Sequence, residues 1–269
     1  MHKLFYLIKD KFFYIAIIIY YSIIGRIFYS LSQTNNYLLI KSKGINIYSP
    51  VFNNSFFKSI KWGSFRGIYR EIFIRNIYNK CYKLNKGDVV IDCGANVGYY
   101  TCYAATRVGS DGLVIAIEPN KKIFEVLSMN VKINKFKNVL LINKGVWDKK
   151  GKLKFFPSEI FPQDSKFFSY PNNYIDDCYE VDVDTIDNIV NEFGIGIVNF
   201  IKIDIEGSEL NAIKGATNIL KSNENIKFSI ASYHKNENNE ITSKSVINYL
   251  DSIDIKNIHL SKNNFVYKY

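Results

Sequence analysis

The sequence predicts an α/β fold, a doubly wound and mostly parallel sheet with helices on both faces. From residue 87 onward, apolar runs of strand length alternate with segments of helix length, and short connections join them. Such alternation is typical of βαβ units. Near the end of the chain, two apolar runs are separated by only a short polar turn, so the last two strands must be antiparallel. The predicted sheet is therefore closed by a C-terminal antiparallel hairpin.

Each element in the first half of this region has a local reason. The first strand is a short apolar run that follows the turn sequence Asn-Lys-Gly-Asp. The first helix ends at Gly109, and the second carries Ile123, Phe124 and Leu127 on one face. The elements are, in order, a strand over 89–91, a helix over 98–109, a strand over 113–118, a helix over 120–134 and a strand over 138–143.

The second half continues the alternation after an irregular stretch. Lys150-Gly151 is a turn signal, so residues 147–156 are predicted to form a hairpin. The aromatic-rich segment 155–179 has no clear period, and we expect it on the ligand side of the sheet. Asp184 or Thr185 can cap the next helix. The remaining elements are helices over 184–194, 208–221 and 240–252, and strands over 198–204, 226–234, 255–261 and 263–269.

The composition excludes a disordered chain, and the charge is distributed unevenly along the sequence. The 269 residues are 47% hydrophobic and 16% aromatic, enough for a sizeable core. The net charge is +10, yet residues 1–88 hold 14 Lys/Arg against 3 Asp/Glu, while the remainder holds 21 against 22. This segregation indicates that the N-terminal part faces an anionic partner. Phospholipid headgroups and nucleic acid both remain open.

The N-terminus contains an uncharged apolar run, residues 12–25, between Lys11 and Arg26. It is shorter than the roughly 20 residues of a spanning helix, and its apolar residues cover every side of a helix. Peripheral or anchored attachment to a membrane through residues 1–32 is one interpretation, and a buried packing helix is the other. The four cysteines form neither a Cys-x-x-Cys pair nor a zinc pattern, which favours a reducing, cytoplasmic location.

The stretch VVIDCGANVGYY, residues 89–100, predicts a ligand-binding loop. Asp92 ends the strand, and Gly94 and Gly98 allow the backbone to approach a ligand closely. Asn96 is among the few residues that tolerate a left-handed backbone. The spacing is Gly-x-x-x-Gly rather than the dinucleotide pattern, and Asp92 would repel a pyrophosphate. The loop therefore favours a ligand that is cationic or zwitterionic at the protein.

Glu118 ends the second strand, where an acid suits the two hydroxyls of a ribose. Glycine loop and acid together indicate a nucleoside with an amino-acid tail, namely S-adenosylmethionine. The alternative is that Glu118 only caps the helix that begins near residue 120.

The blocks VVIDCGANVGYYT, IAIEPN and FIKIDIEGSELNAIKGA occur in this order, and with them residues 86–221 resemble the FkbM family of methyltransferases. The resemblance implies a Rossmann-like class I methyltransferase fold with a seven-stranded, mostly parallel sheet. It also implies O-methylation of a hydroxyl on a sugar, a glycan or a lipid-linked acceptor, with S-adenosylmethionine as cofactor. The cofactor contacts that it implies by position are Asp92, Gly94, Asn96, Gly98, Glu118 and, for the adenine amino group, Asp148.

The chain is accordingly divided into three parts. Residues 1–40 are a basic, apolar, helical segment, residues 41–86 are a connecting helical region, and residues 87–269 are the methyltransferase domain. Within 41–86, the sequence FRGIYREIFIRNIYNKCYKL reads as a helix.

The carboxyl ends of the fourth and fifth strands offer groups for chemistry. Asp204 and Glu206 follow the fourth strand, and His234 follows the fifth. Because an unperturbed histidine has a pKa near 6.5, His234 is the candidate base, while the two acids would orient the acceptor. Alternatives are a surface histidine and acids that only serve the helix N-terminus. Asp204 and Glu206 could also hold a divalent metal, but the sequence shows no third ligand, so no metal is predicted.

Two other functions compete with O-methylation of a sugar. The basic N-terminal segment could bind RNA or DNA, with a base or ribose as the acceptor. The Asn/Asp-Pro-Pro-aromatic motif of base-amino methyltransferases does not occur, which disfavours this option. A non-catalytic binding protein is disfavoured by the intact loop and acids.

Overall fold

The computed structural model describes residues 33–34, 37–42, 44–50, 68, 70–157, 167 and 178–269. Thirteen strands lie in this part of the chain. They are β1 (Gln33–Thr34), β2 (Tyr37–Ser42), β3 (Ile45–Pro50), β4 (Val89–Cys93), β5 (Leu113–Ile117), β6 (Val139–Ile142), β7 (Gly145–Val146), β8 (Gly151–Phe155), β9 (Tyr179–Asp184), β10 (Phe200–Ile203), β11 (Lys227–Ala231), β12 (Ile258–Leu260) and β13 (Phe265–Lys268).

Six α-helices connect these strands in the same described part. They are α1 (Tyr99–Val108), α2 (Lys121–Ile133), α3 (Ile186–Glu192), α4 (Glu209–Lys214), α5 (Thr217–Ser222) and α6 (Thr242–Ser252). Thr185 caps α3 by accepting a hydrogen bond from the Asn188 amide at 2.9 Å, which confirms one of the two predicted caps.

The central sheet has seven strands in the order β12-β13-β11-β10-β4-β5-β6. Strands β11, β10, β4, β5 and β6 are parallel, and β13 is antiparallel to both β11 and β12. The predicted class is confirmed, a Rossmann-like parallel sheet closed by an antiparallel hairpin.

Successive side chains of the central strands enter two cores on opposite faces of the sheet. Val90 and Phe200 pack into one core, and Ile91 and Ile201 pack into the other; all four are fully buried. Because side chains alternate across a strand, a strand covered on both faces must be apolar throughout. This is why these strands read as continuous apolar runs.

A second, three-stranded sheet has the order β7-β9-β8. Strand β9 lies between the other two, parallel to β7 and antiparallel to β8. The predicted hairpin over 147–156 is therefore wrong. The partner of β8 comes from residues 179–184, for which the local pattern predicted no strand.

A hairpin of β2 and β3 packs beside α2 through two asparagines. Asn130 accepts a hydrogen bond from the Tyr48 amide at 2.6 Å and donates to the Tyr48 carbonyl at 2.9 Å. Asn134 makes the equivalent pair with Asn46, at 2.8 and 2.6 Å. Four helical residues rise about 6.0 Å and two strand residues about 6.8 Å, so the side-chain amides match the spacing of the strand edge.

The predicted helix within 41–86 is not a continuous α-helix where the structure describes it. Residues Arg70–Ile74 form a π-helical turn and Ile77–Asn79 a 3-10 turn. Between them Asn76 has a left-handed backbone, with φ of 51°, which interrupts the helix. The division at residue 86 stays a prediction, although Ile72 and Phe73 enter the same core as Val90.

The predicted helix 208–221 is divided into α4 and α5. A Cβ atom on Gly215 would lie 2.1 Å from the Trp147 carbonyl oxygen, so the chain between the two helices passes very close to the neighbouring backbone. In the part of the chain described, no helix combines the length and apolar character needed to cross a membrane. Residues 12–25 and the proposed anchor 1–32 lie outside that part.

Candidate active site

The glycine loop lies where the carboxyl ends of the neighbouring strands β4 and β10 meet. Gly94 has φ of +74°, and a Cβ atom there would lie 2.0 Å from the Asp204 carbonyl oxygen. The missing side chain therefore lets the loop contact the end of β10. Any larger residue would push these two segments apart.

The rest of the loop is shaped by left-handed backbone and close packing. Asn96 has φ of 52°, which confirms the expected left-handed residue. Gly98 has φ of +93°, and a Cβ atom there would lie 2.6 Å from Leu127 of α2. Both predicted glycines are thus required by contacts within the protein, in addition to any approach to a ligand.

Glu118 connects the loop to the start of α2. Its Oε2 accepts a hydrogen bond from the Asn96 amide at 2.9 Å, and its Oε1 accepts one from the Asn120 amide at 2.9 Å. Burial raises the pKa of Glu118 to about 7, against the lowering effect of these two amides. The helix cap itself is Asn120, whose side chain accepts from the amides of Lys122 and Ile123. Each oxygen of Glu118 can still accept a second hydrogen bond.

Asp92 is fully buried and contacts groups of the protein. Its Oδ1 lies 3.0 Å from Nζ of Lys202, and its Oδ2 accepts a hydrogen bond from Thr101 at 2.6 Å. The contact of Asp92 with the cofactor stays a prediction. Its observed contacts hold Lys202 beneath the loop.

Lys202 is a site residue that the sequence analysis missed. It lies within β10, directly beside Asp92 in the sheet, with a side chain only 4% exposed. Its ammonium donates to the carbonyls of Cys93 at 3.1 Å and Gly94 at 2.7 Å. Asp92 and Asp204 keep its pKa raised although burial lowers it. The sequence does carry a signal for this residue, since it is a lysine between Ile201 and Ile203 in a run that is otherwise apolar.

His234 lies among three carboxylates. Its Nδ1 is 2.9 Å from Oε1 of the fully buried Glu209, while Nε2 is 3.6 Å from Asp204 and 3.4 Å from Glu206. Burial lowers the pKa of His234, but the hydrogen bond to Glu209 and the charges of all three acids raise it to about 10. His234 therefore does not have the unperturbed pKa on which its predicted role as a base depends. At neutral pH and with no other cation bound, His234 is an imidazolium.

Residues from the 70–79 region complete this cluster, and the sequence analysis missed them as well. Tyr78 donates a hydrogen bond to Oδ2 of Asp204. Burial and the nearby Asp204 raise the pKa of Tyr78 well above its usual value, so its hydroxyl stays a donor. Glu71 also faces the cluster, and burial followed by the charge of Asp204 raises its pKa.

Two cavities adjoin at the glycine loop, and both are lined by Gly94, Asn96, Asp204 and Glu206. The larger has a volume of about 380 Å³, and its other walls include Glu71, Tyr78 and His234. We call it the acceptor cavity. The smaller, the nucleoside cleft, is also lined by Glu118, Lys144, Val146, Phe155 and Phe167.

Of the nine residues predicted for the site, six line these cavities, while Gly98 and Asp92 belong to the loop and its strand without lining either cavity. Asp148 is not among the residues that line either cavity, and its Oδ2 accepts a hydrogen bond from Asn211 at 3.2 Å. From the aromatic segment 155–179, Phe155 and Phe167 line the nucleoside cleft. Residues 158–166 and 168–177 lie outside the described part of the chain.

Known proteins are similar to this chain in sequence. Hexuronic acid methyltransferase AglP of Haloferax volcanii is 30% identical over 149 residues, which cover 55% of this chain and 56% of AglP. Methyltransferase 1 of Beauveria bassiana is 25% identical over 168 residues, covering 55% of this chain and 66% of that protein. The match thus spans little more than half the length of AglP.

A solved structure supports the fold. The crystal structure of Methyltransferase FkbM from Methylobacillus flagellatus KT superposes with a TM-score of 0.52 at 21% identity, covering 75% of this chain and 48% of that chain. The family model described as Methyltransferase FkbM domain matches residues 92–264. Because this match spans well over half of the 269 residues, the chain belongs to the FkbM family of methyltransferases.

Proposed function

We propose that this protein is an S-adenosylmethionine-dependent methyltransferase that methylates a hydroxyl group of a sugar. The observation that carries the proposal is the pair of adjoining cavities at the glycine loop. One contains a buried acid of the kind that binds a ribose, and the other contains two carboxylates beside a histidine. Family membership and the similarity to a hexuronic acid methyltransferase support the same reaction.

The residues of the nucleoside cleft fit an S-adenosyl group. Glu118 is held by two backbone amides, and each of its oxygens retains a lone pair that a ribose hydroxyl can occupy. Phe155, Phe167 and Val146 provide apolar walls suited to a flat base. When bound, S-adenosylmethionine supplies an electrophilic methyl group on sulfur.

The acceptor cavity supplies the groups that position a hydroxyl. Asp204 and Glu206 are the proton acceptors, because His234 carries a proton already when no other cation is bound. Tyr78 donates a hydrogen bond to Oδ2 of Asp204 and so fixes the direction in which this carboxylate faces the cavity. The chain thus orients the acceptor oxygen and takes its proton as the methyl group is transferred.

A sugar fits this cavity better than a nucleic acid does. Glu71, Asp204 and Glu206 line it, and Glu209 lies behind His234. Carboxylates accept hydrogen bonds from the several hydroxyls of a sugar, whereas a phosphodiester group has no hydrogen-bond donor to offer them.

Calorimetry with S-adenosylmethionine tests the cofactor. Glu118→Ala removes two hydrogen-bonding oxygens for the ribose, and we expect an affinity about 100-fold weaker. Glu125→Ala, an exposed acid on the neighbouring helix α2, is the matched control and should bind like the wild type. Undetectable binding by the wild-type protein would refute the proposal.

A transfer assay with a labelled methyl group tests the acceptor. Uronic-acid glycans, neutral glycans and RNA are offered in parallel to the full-length protein. We expect label in a glycan fraction. Label confined to RNA would overturn the assignment of the acceptor while leaving the methyltransferase activity intact.

We further propose that residues 1–32 attach the protein to an anionic membrane surface. The support is the uncharged run 12–25 with its basic flanks and the surplus of 11 positive charges before residue 89. Sedimentation with vesicles containing anionic lipid tests this. Full-length protein that stays in the supernatant at low salt would contradict the attachment.

A further inference from the structure

We propose that Asp204, Glu206 and His234 form a binding site for a divalent cation. One oxygen of each carboxylate and one ring nitrogen lie within 4.8 Å of one another at the wall of the acceptor cavity. The role of this cation rests on the proposed function, because the cation would hold the hydroxyl oxygen that receives the methyl group.

The two separations from Nε2 of His234 are closer to those within a coordination shell than to those of hydrogen bonds. Nε2 of His234 lies 3.4 Å from Glu206 and 3.6 Å from Asp204, beyond the usual 2.7–3.2 Å of a hydrogen bond. Ligands about 2.1 Å from a shared metal are about 3.0 Å apart at octahedral corners and about 3.4 Å apart at tetrahedral ones. The two histidine separations are near these values, and the carboxylate oxygens of Asp204 and Glu206, which lie within 4.8 Å of each other, would draw together to share one ion.

Glu209 gives the histidine the orientation of a metal ligand. The side chain of His234 is only 9% exposed, and its Nδ1 lies 2.9 Å from the fully buried Glu209. Metal-binding histidines commonly donate their second ring N–H to a carboxylate in this way. With the proton on Nδ1, the lone pair of Nε2 points between Asp204 and Glu206. Among the described residues, the polar contacts of Nε2 on that side are the separations of 3.6 Å from Asp204 and 3.4 Å from Glu206.

Two further contacts hold Glu209 and Asp204 in place. The amide of Gly207 donates to Oε1 of Glu209 at 3.0 Å, which fixes the acid behind the histidine. Tyr78 occupies Oδ2 of Asp204, and Oδ1 faces the site. Ligands are thus oriented before any ion binds, which lowers the entropic cost of binding.

Three protein ligands leave open positions for the acceptor. A carboxylate-rich site with one imidazole suits manganese, magnesium or zinc, and a catalytic site of this kind commonly keeps positions for water or substrate. Since the site faces the acceptor cavity, a sugar hydroxyl can fill such a position. The cation would lower the pKa of this hydroxyl and align its oxygen.

The test measures cation binding directly on the full-length protein. Manganese(II) is titrated by calorimetry and by electron paramagnetic resonance, with magnesium and zinc as competitors. We expect one manganese ion per chain. The isosteric variants Asp204→Asn and Glu206→Gln, together with His234→Ala, should each bind it at least about 100-fold more weakly, and Glu209→Gln about 10- to 100-fold more weakly.

A control variant, a test of folding and a measurement of S-adenosylmethionine binding distinguish the ways in which manganese binding can fail. His259→Ala, at the edge strand β12, should bind manganese like the wild type. Folding of each variant is verified by circular dichroism, and the isosteric pair keeps the test valid if His234→Ala does not fold. Binding of S-adenosylmethionine is measured in the same samples.

Wild-type protein that binds S-adenosylmethionine but no manganese overturns this inference alone. Manganese affinity unchanged in the Asp204 and Glu206 variants overturns it too. Wild-type protein that binds manganese at this site but no S-adenosylmethionine overturns the proposed function and leaves the cation site standing.

Discussion

Replacing Lys202 by methionine tests whether the buried ion pair beneath the glycine loop stabilises the fold. The ammonium of Lys202 has three partners, at 3.0 Å from Asp92, 3.1 Å from the Cys93 carbonyl and 2.7 Å from the Gly94 carbonyl. The two side chains are 4% and 0% exposed. Lys202→Met therefore leaves a buried carboxylate with Thr101 as its remaining partner.

Breaking a buried pair from one side costs about 3–5 kcal/mol, because the other charge stays uncompensated. For a chain of this size the melting temperature should fall by about 10 °C. Asp92→Asn alone should cost a similar free energy. The double variant removes both charges, so its loss should be at least about 2 kcal/mol smaller than the sum of the single losses.

Urea unfolding followed by circular dichroism measures all three variants. Lys268 is a matched control, because this lysine is 5% exposed in the same sheet but donates its hydrogen bond to the Glu224 carbonyl rather than to a buried carboxylate. Its pKa is lowered, chiefly by burial, so Lys268→Met should cost less than about 1 kcal/mol. Losses that add within about 0.5 kcal/mol for Asp92 and Lys202 would refute the reasoning.

Three further predictions follow from the same site. Gly94→Ala places a Cβ 2.0 Å from a backbone oxygen at φ of +74° and should cost about 3 kcal/mol in urea unfolding, whereas Gly151→Ala enters open space and should stay within about 0.5 kcal/mol. The pKa of Glu118 is raised from 4.5 to about 7 in the folded state, so its stabilisation is complete below pH 4.5 and is lost as the pH rises through about 7. Wild-type protein should therefore lose about 3 kcal/mol more than Glu118→Gln between about pH 5 and about pH 8, and equal losses would contradict this pKa. Asn130→Ala removes three hydrogen bonds from a fully buried side chain and should lower the unfolding free energy by about 3 kcal/mol, with a loss below about 1 kcal/mol arguing against the docking of the hairpin.

The fold was predictable because its signals are local. Apolar runs of four or five residues, glycines after strands and caps such as Thr185 each depend on near neighbours in the chain. The strand β8 was assigned a wrong partner because its true partner is distant in the chain. Its neighbour β9 lies across residues 157–178, and a turn signal at Lys150-Gly151 favoured a nearer one.

The site was only partly predictable for the same reason. Asp204, Glu206 and His234 could be placed together because the carboxyl ends of parallel strands share one edge. Tyr78 could not, since its hydrogen bond to Asp204 joins residues 126 positions apart. The raised pKa of His234 could not be predicted either, because the buried Glu209 that contacts its ring lies 25 positions away in the chain.

The asparagine pair on α2 sets a limit on how the protein can be shortened for crystallisation or screening. A fragment that begins at residue 87, where the strand and helix alternation starts, would leave the amides of Asn130 and Asn134 without their partners on Tyr48 and Asn46. It would also uncover the apolar face that Ile47 fills. Truncation before residue 37 keeps both contacts, so libraries of shortened forms should place their first residue there.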